Sequence, residues 1–240
     1  MEIKKHIPNS ITSLNLFCGI MAVVCAVSGL LHEASLLIFA GAIFDFFDGF
    51  VARQLRVSSP IGKELDSLAD VVSFGIAPAA IYSTYMKYLV SGDWYINIYH
   101  LSLQQIFWVI LPFILGVFAA LRLAKFNLDE RQTENFLGLT TTATGLFTAS
   151  LMWFLTDHLQ LFRWVHPWML MTMIFIFCVL LVSEVPMFSL KVKHFTWAGN
   201  ELRIILIATA VISIATIGIG GIALTILLYI LFSLCKYVTD

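Results

Sequence analysis

Residues 41–80 read GAIFDFFDGFVARQLRVSSPIGKELDSLADVVSFGIAPAA, an apolar stretch interrupted by four aspartates, Asp45, Asp48, Asp66 and Asp70. On either side of the polar turn at Ser58, Ser59, Pro60 and Gly62, the apolar runs approach the roughly 20 residues that a membrane-spanning helix needs. A charge within such a helix costs several kcal/mol, so intramembrane carboxylates mark functional sites. Asp45 and Asp48 are three residues apart and Asp66 and Asp70 four, so each pair shares one face of its helix. The short turn makes the two helices antiparallel neighbours. The two carboxylate pairs then face each other near one membrane surface.

The rest of the chain fits that solvent. Of its 240 residues, 60% are hydrophobic and 12% charged, and the mean hydropathy is +0.90. Soluble domains carry about 25% charge, and a soluble globule could not hide this much apolar surface. The same figures exclude a disordered chain, a collagen-like repeat and a disulfide-rich scaffold. A net charge of −1 gives no basic balance that would suggest a nucleic-acid partner. Cys18, Cys25, Cys178 and Cys235 all fall in apolar stretches, as packing residues do. The histidines are unpaired at helical spacing, which argues against a histidine-based metal site.

Apolar runs predict eight spans, over roughly 10–31, 34–53, 62–88, 103–125, 139–156, 167–188, 202–217 and 220–236. The expectation is an all-α, polytopic membrane helix bundle in which residues 1–240 form one integral-membrane catalytic unit. Its core would be 1–190, with a C-terminal helix pair over 200–237. Lys4 and Lys5 precede an apolar run too long for a signal peptide and suited to a permanent span. With the N-terminus in the cytoplasm, 12 of the 14 Lys and Arg residues fall on the inner side, leaving Lys87 and Arg163 outside. This predicts both termini and the acidic cluster on the cytoplasmic face. Trp94, Tyr95, Tyr99, Trp164 and Trp168 are expected to anchor the opposite interface.

Four anions at close quarters repel one another, and a divalent cation, or two, removes the conflict. An all-oxygen donor set favours Mg²⁺ or Mn²⁺ over Zn²⁺. Gly41 and Ala52 recur on the Asp45–Asp48 face, and Gly62 on the Asp66–Asp70 face. Such small residues suit close helix packing in lipid or backbone approach to a bulky ligand. Arg53 and Lys63 flank the cluster and suit phosphate oxygens.

The pattern Asp45-x2-Asp48-Gly49-x2-Ala52-Arg53-x8-Gly62-x3-Asp66-x3-Asp70 resembles, at all eight positions, the signature of the CDP-alcohol phosphatidyltransferases. IPNSITSLNLFCG at 7–19, SLADVVSFGIAPA at 67–79, RLAKFNL at 122–128 and LVSEVPMFSLK at 181–191 resemble the phosphatidylserine synthase branch. FLGLTTTATG at 136–145, without a proline turn, and Lys125, where that branch commonly has Arg, depart from it. The resemblance implies a six-helix core plus two helices, and transfer of the phosphatidyl group of CDP-diacylglycerol to the hydroxyl of L-serine, releasing CMP. It implies two Mg²⁺ or Mn²⁺ ions on Asp45, Asp48, Asp66 and Asp70, with Asp70 as general base. CDP-lipid contacts are implied for Asn9, Thr12, Gly49, Ala52, Arg53, Gly62 and Lys63. Acceptor contacts are implied for Arg122, Lys125 and Lys191, and a homodimer in the cell membrane for the assembly. Two alternatives stay open: the same chemistry on glycerol 3-phosphate or an inositol compound, and a cation-coupled transporter. A transporter would be expected to hold its charges near the midplane and to show repeat symmetry.

Overall fold

The computed structural model describes residues 3–129, 136–162, 164–188 and 200–239. Its long helices are α1 (Ile3–Val27), α2 (Leu31–Leu55), α3 (Pro60–Ser91) and α4 (Leu103–Leu128), followed by α5 (Thr141–Asp157), α6 (Pro167–Val182), α7 (Glu201–Ile217) and α8 (Gly220–Thr239). Five of them, α1–α4 and α8, are long and apolar enough to cross a membrane. The 16 or 17 residues of α5, α6 and α7 rise about 25 Å, close to the roughly 30 Å hydrocarbon core. The chain is an all-α polytopic bundle, as its apolar runs predict.

Contacts between helix ends set the alternation. Lys63, early in α3, donates to the carbonyl of Asn127 at the end of α4 (3.2 Å), and Lys125 to that of Val182 at the end of α6 (3.2 Å). At the other end of the bundle His32 of α2 meets Asp157 of α5 at 2.9 Å, and Trp108 of α4 lies edge-on to Trp168 of α6 at 4.6 Å. Trp94 stacks on Tyr88 at 4.2 Å, so this expected interfacial anchor is also a packing residue.

One prediction needs correction. The apolar run continues to 188, yet α6 ends at Val182. Pro186–Met187 instead pair antiparallel with Phe136–Leu137, the one strand pairing among the described residues. Hydropathy does not distinguish an extended apolar segment from a helix. Gly138 makes the crossing feasible. Its φ is +73°, and a Cβ there would sit 2.8 Å from the carbonyl oxygens of Leu180 and Ser183.

The turn that brings α2 and α3 together has local causes. Arg56 caps α2 in a left-handed conformation, its N–H reaching the Ala52 and Arg53 carbonyls. Ser59 then caps α3, accepting from the Gly62 N–H at 3.0 Å, and Pro60 opens the helix. Past Asp70, α3 widens into a π-helical stretch, Val71–Ile76.

Four neighbours present glycine to this stretch. Gly19 of α1 abuts Ser73, and a Cβ on Gly41 of α2 would lie 3.7 Å from the Ser73 Cβ. A Cβ on Gly116 of α4 would lie 3.4 Å from Ile76, and one on Gly145 of α5 only 2.8 Å from the Phe74 ring. With no hydrophobic drive between helices in lipid, such close approach supplies much of the attraction. Buried hydroxyls add interhelical bonds, Ser83 to the Val109 carbonyl (2.7 Å) and Thr84 to that of Ala26 (2.8 Å). The α7–α8 hairpin docks on α5 through Ser150, which donates to the Ile219 carbonyl (2.6 Å) and accepts from the Ala223 N–H (2.9 Å).

Candidate active site

Helical spacing in FDFFDGF sorts its two kinds of residue. Phe46, Phe47 and Phe50 are exposed on the bundle's outer surface, while Asp48 turns inward and is buried. One carboxylate oxygen from each of Asp45, Asp48 and Asp66 lies within 4.8 Å of the other two. Asp70 follows one turn after Asp66 on α3; it is buried, and it lies near enough to Asp45 and Asp66 to feel their charges. The antiparallel pairing expected from the sequence therefore brings all four together.

At such separations each pair of carboxylates repels by roughly 3 kcal/mol at an effective dielectric near 20. Asp48 Oδ2 is also buried without a hydrogen-bond partner, a state that normally costs about 1–3 kcal/mol. Both observations fit a site built for a hard divalent cation, because the donors are all carboxylate oxygens.

Beside the cluster opens a cleft of about 250 Å³, lined by Pro8, Asn9, Thr12, Asp48, Gly49, Ala52, Val57, Ser58, Ser59, Gly62, Lys63 and Asp66. Six residues singled out for the CDP-lipid are here: Asn9, Thr12, Gly49, Ala52, Gly62 and Lys63. Thr12, donating to the Pro8 carbonyl at 3.1 Å, stands beside Asp48. Gly62 allows α3 to approach α1, since a Cβ there would lie 2.9 Å from Asn9 Oδ1. Arg53 does not line the cleft; its guanidinium folds back to 3.2 Å from where a Gly49 Cβ would be. A branched side chain at Gly62 must displace Asn9 and fill the cleft mouth. Gly62→Val is expected to raise the KM for the CDP-lipid at least about tenfold, with a smaller change in kcat, as steady-state kinetics in mixed micelles would show.

The residues singled out for the acceptor separate. Arg122 is buried, stacks over Phe126 at 4.9 Å and lies close enough to Asp70 to feel its charge. Lys125 is exposed, donates to the Val182 carbonyl and lies 3.9 Å from Glu184, which ties α4 to the end of α6. Lys191 falls outside the described residues. Sequence reasoning missed Pro8, Val57, Ser58 and Ser59 in the cleft wall, and it missed Asn15. Fully buried on α1, Asn15 donates to Asp70 at 3.3 Å. An amide three residues after Thr12 in a spanning helix was the available signal.

Comparison with known proteins agrees with this geometry. The CDP-alcohol phosphatidyltransferase family model matches residues 5–180. A Bacillus subtilis CDP-diacylglycerol–serine O-phosphatidyltransferase is 36% identical over 141 residues, 59% of this chain and 72% of the relative. A Mycobacterium leprae protein of the same name is 33% identical over 75% of this chain, which spans 57% of that longer relative. One from Methanocaldococcus jannaschii is 28% identical over 97% of this chain and 94% of its own length. The family match covers the acidic cluster and the cleft together, and the chain is an enzyme that belongs to the CDP-alcohol phosphatidyltransferase family.

Proposed function

We propose that this enzyme transfers the phosphatidyl group of CDP-diacylglycerol to the hydroxyl of L-serine, giving phosphatidylserine and CMP. The observation that carries the reading is the adjacency of two environments. The cleft of Asn9, Thr12, Gly49, Ala52, Gly62 and Lys63 opens onto the aspartates, and Arg122 lies buried outside that cleft lining, within range of the Asp70 charge. The names of the relatives support serine as acceptor.

Asp45, Asp48, Asp66 and Asp70 would hold two Mg²⁺ or Mn²⁺ ions, which when bound neutralise the diphosphate and the charge developing on the leaving CMP. The small side chains at Gly49 and Ala52 leave room for the cytidine. Asn9 and Thr12 offer it hydrogen bonds, and Lys63 and a swung-out Arg53 reach the phosphates. Arg122 pairs with the serine carboxylate, a role that the outward-tied Lys125 is poorly placed to share. The serine hydroxyl oxygen attacks the lipid-side phosphorus and forms the new P–O bond. Asp70 accepts the hydroxyl proton, and the bond from that phosphorus to the bridging oxygen breaks, CMP leaving with the electron pair. A carboxylate is a weak base toward an alcohol, so placement of the reactants supplies much of the acceleration. The site opens to the cytoplasm, where serine and CMP exchange while the acyl chains stay in the cell membrane. The distribution of Lys and Arg supports that orientation.

An acceptor panel tests the reading. With purified protein, CDP-diacylglycerol and Mn²⁺ or Mg²⁺, serine is expected to release CMP, with glycerol 3-phosphate and inositol at background. Release with glycerol 3-phosphate and none with serine would keep the family and overturn the acceptor. In the same panel Arg122→Leu is expected to raise the serine KM about tenfold or more, with the KM for CDP-diacylglycerol unchanged.

A further inference from the structure

Three helices meet at Asn15. It sits on α1, 0% exposed. Its Nδ2 donates to Asp70 Oδ1 at 3.3 Å, and its backbone carbonyl accepts from Ser73 Oγ at 3.0 Å. Both of those partners are on α3, on either side of the start of the π-helical stretch. From α2, Gly41 offers bare backbone: a Cβ there would lie 3.0 Å from Asn15 Oδ1. That oxygen is buried and has no hydrogen-bond partner.

For packing alone this is a poor choice of residue. A hydrogen bond to a carboxylate contributes about 1.5–3 kcal/mol, and a buried unsatisfied carbonyl costs about 1–3 kcal/mol, so the two nearly offset. An apolar side chain of similar volume would hold the three helices at least as well. What the amide does that an apolar group cannot is occupy one particular oxygen of Asp70. A carboxylate free to rotate presents either oxygen; one pinned through Oδ1 presents Oδ2.

We propose that Asn15 is a positioning residue for the reaction. It pins Asp70 through Oδ1 and leaves Oδ2 as the atom that takes the acceptor's proton, with Gly41 leaving the space that lets the amide adopt this orientation. The proposal rests on the reading of Asp70 as proton acceptor. The Ser73 bond and the π-helical stretch keep α1 and α3 in the register the pin requires.

The test is a double-mutant cycle on the full chain in mixed micelles, with Mn²⁺ binding followed separately by electron paramagnetic resonance. Asn15→Ala is expected to lower kcat about 10- to 100-fold, leaving both KM values within about twofold and the Mn²⁺ dissociation constant within about threefold. Gly41→Ala, which presses on Oδ1, is expected to lower kcat several-fold in the parent. It should lower it no further in the Asn15→Ala background, because the strained amide is gone. Asn15→Asp, which sets a carboxylate against Asp70, is expected to be worse than Asn15→Ala.

Unchanged kcat in Asn15→Ala, a loss confined to KM, or independent multiplying losses in the cycle would each overturn the proposal. So would a tenfold weakening of Mn²⁺ binding, which would assign Asn15 to building the ion site. If Asn15→Ala is not recovered folded, Asn15→Ser, too short to reach Asp70, carries the same comparison. An inactive Asp70→Asn beside a fully active Asn15→Ala would reject this inference alone. An active Asp70→Asn would reject the base assignment and the inference together.

Discussion

Asp70→Asn is expected to abolish turnover, lowering kcat by about 10³-fold or more. The substitution preserves shape and volume, so the buried position of Asp70 can accommodate it. It removes two things at once. An amide cannot accept the acceptor's proton, and general-base assistance alone contributes about 10²–10⁴-fold. The variant also withdraws one anion from a cluster whose other members, Asp45, Asp48 and Asp66, lie within 4.8 Å of one another. Radiolabelled CMP release in mixed micelles reads the loss, with thermal unfolding run beside it to show that the fold survives. Activity within about tenfold of the parent would show that Asp70 is not the base.

The second large effect is removal of divalent cations. Chelation is expected to take activity to background, and excess Mg²⁺ or Mn²⁺ to restore it. Three carboxylates so close together, one with an orphaned buried oxygen, bind a diphosphate anion only when something cationic intervenes. Among the described residues Lys63 is the one basic residue that lines the cleft, and it already donates to the Asn127 carbonyl. Asp45→Ala and Asp66→Ala are therefore expected to raise the Mn²⁺ concentration needed for half-maximal activity at least tenfold. Full activity after exhaustive chelation would contradict the ion-site reading of the cluster. The same treatment leaves a scaffold role for the helices untouched, since their contacts run through Gly19, Gly41, Gly116 and Gly145.

Much of the site was legible because spacing determines which side chains share a helix face. The interval from Asp45 to Asp48, that from Asp66 to Asp70, and the Ser-Ser-Pro turn between them were enough to place four carboxylates together. Hydropathy located the helices but misjudged the end of α6, where an apolar segment is extended and pairs with Phe136–Leu137. The π-helical stretch at Val71–Ile76 left no trace in the pattern, since local widening of a helix changes hydrogen bonding without changing composition. Side-chain allegiance was equally hidden. Arg53 folds beside Gly49 and Lys125 is spent on the Val182 carbonyl, outcomes that depend on neighbours remote in sequence. The transporter alternative loses its basis through the family match over residues 5–180. The cluster also lies towards the end of the bundle where Lys63 meets Asn127, not at mid-span.

The most direct test of the account follows the oxygen. Serine labelled with ¹⁸O in its hydroxyl, incubated with CDP-diacylglycerol, Mn²⁺ and the purified protein, is expected to deliver the label to phosphatidylserine and leave CMP unlabelled. Labelled cytidine 5′-phosphoserine with release of phosphatidic acid would place attack on the nucleotide-side phosphorus, and no labelled lipid at all would remove serine as the acceptor; either result contradicts the account.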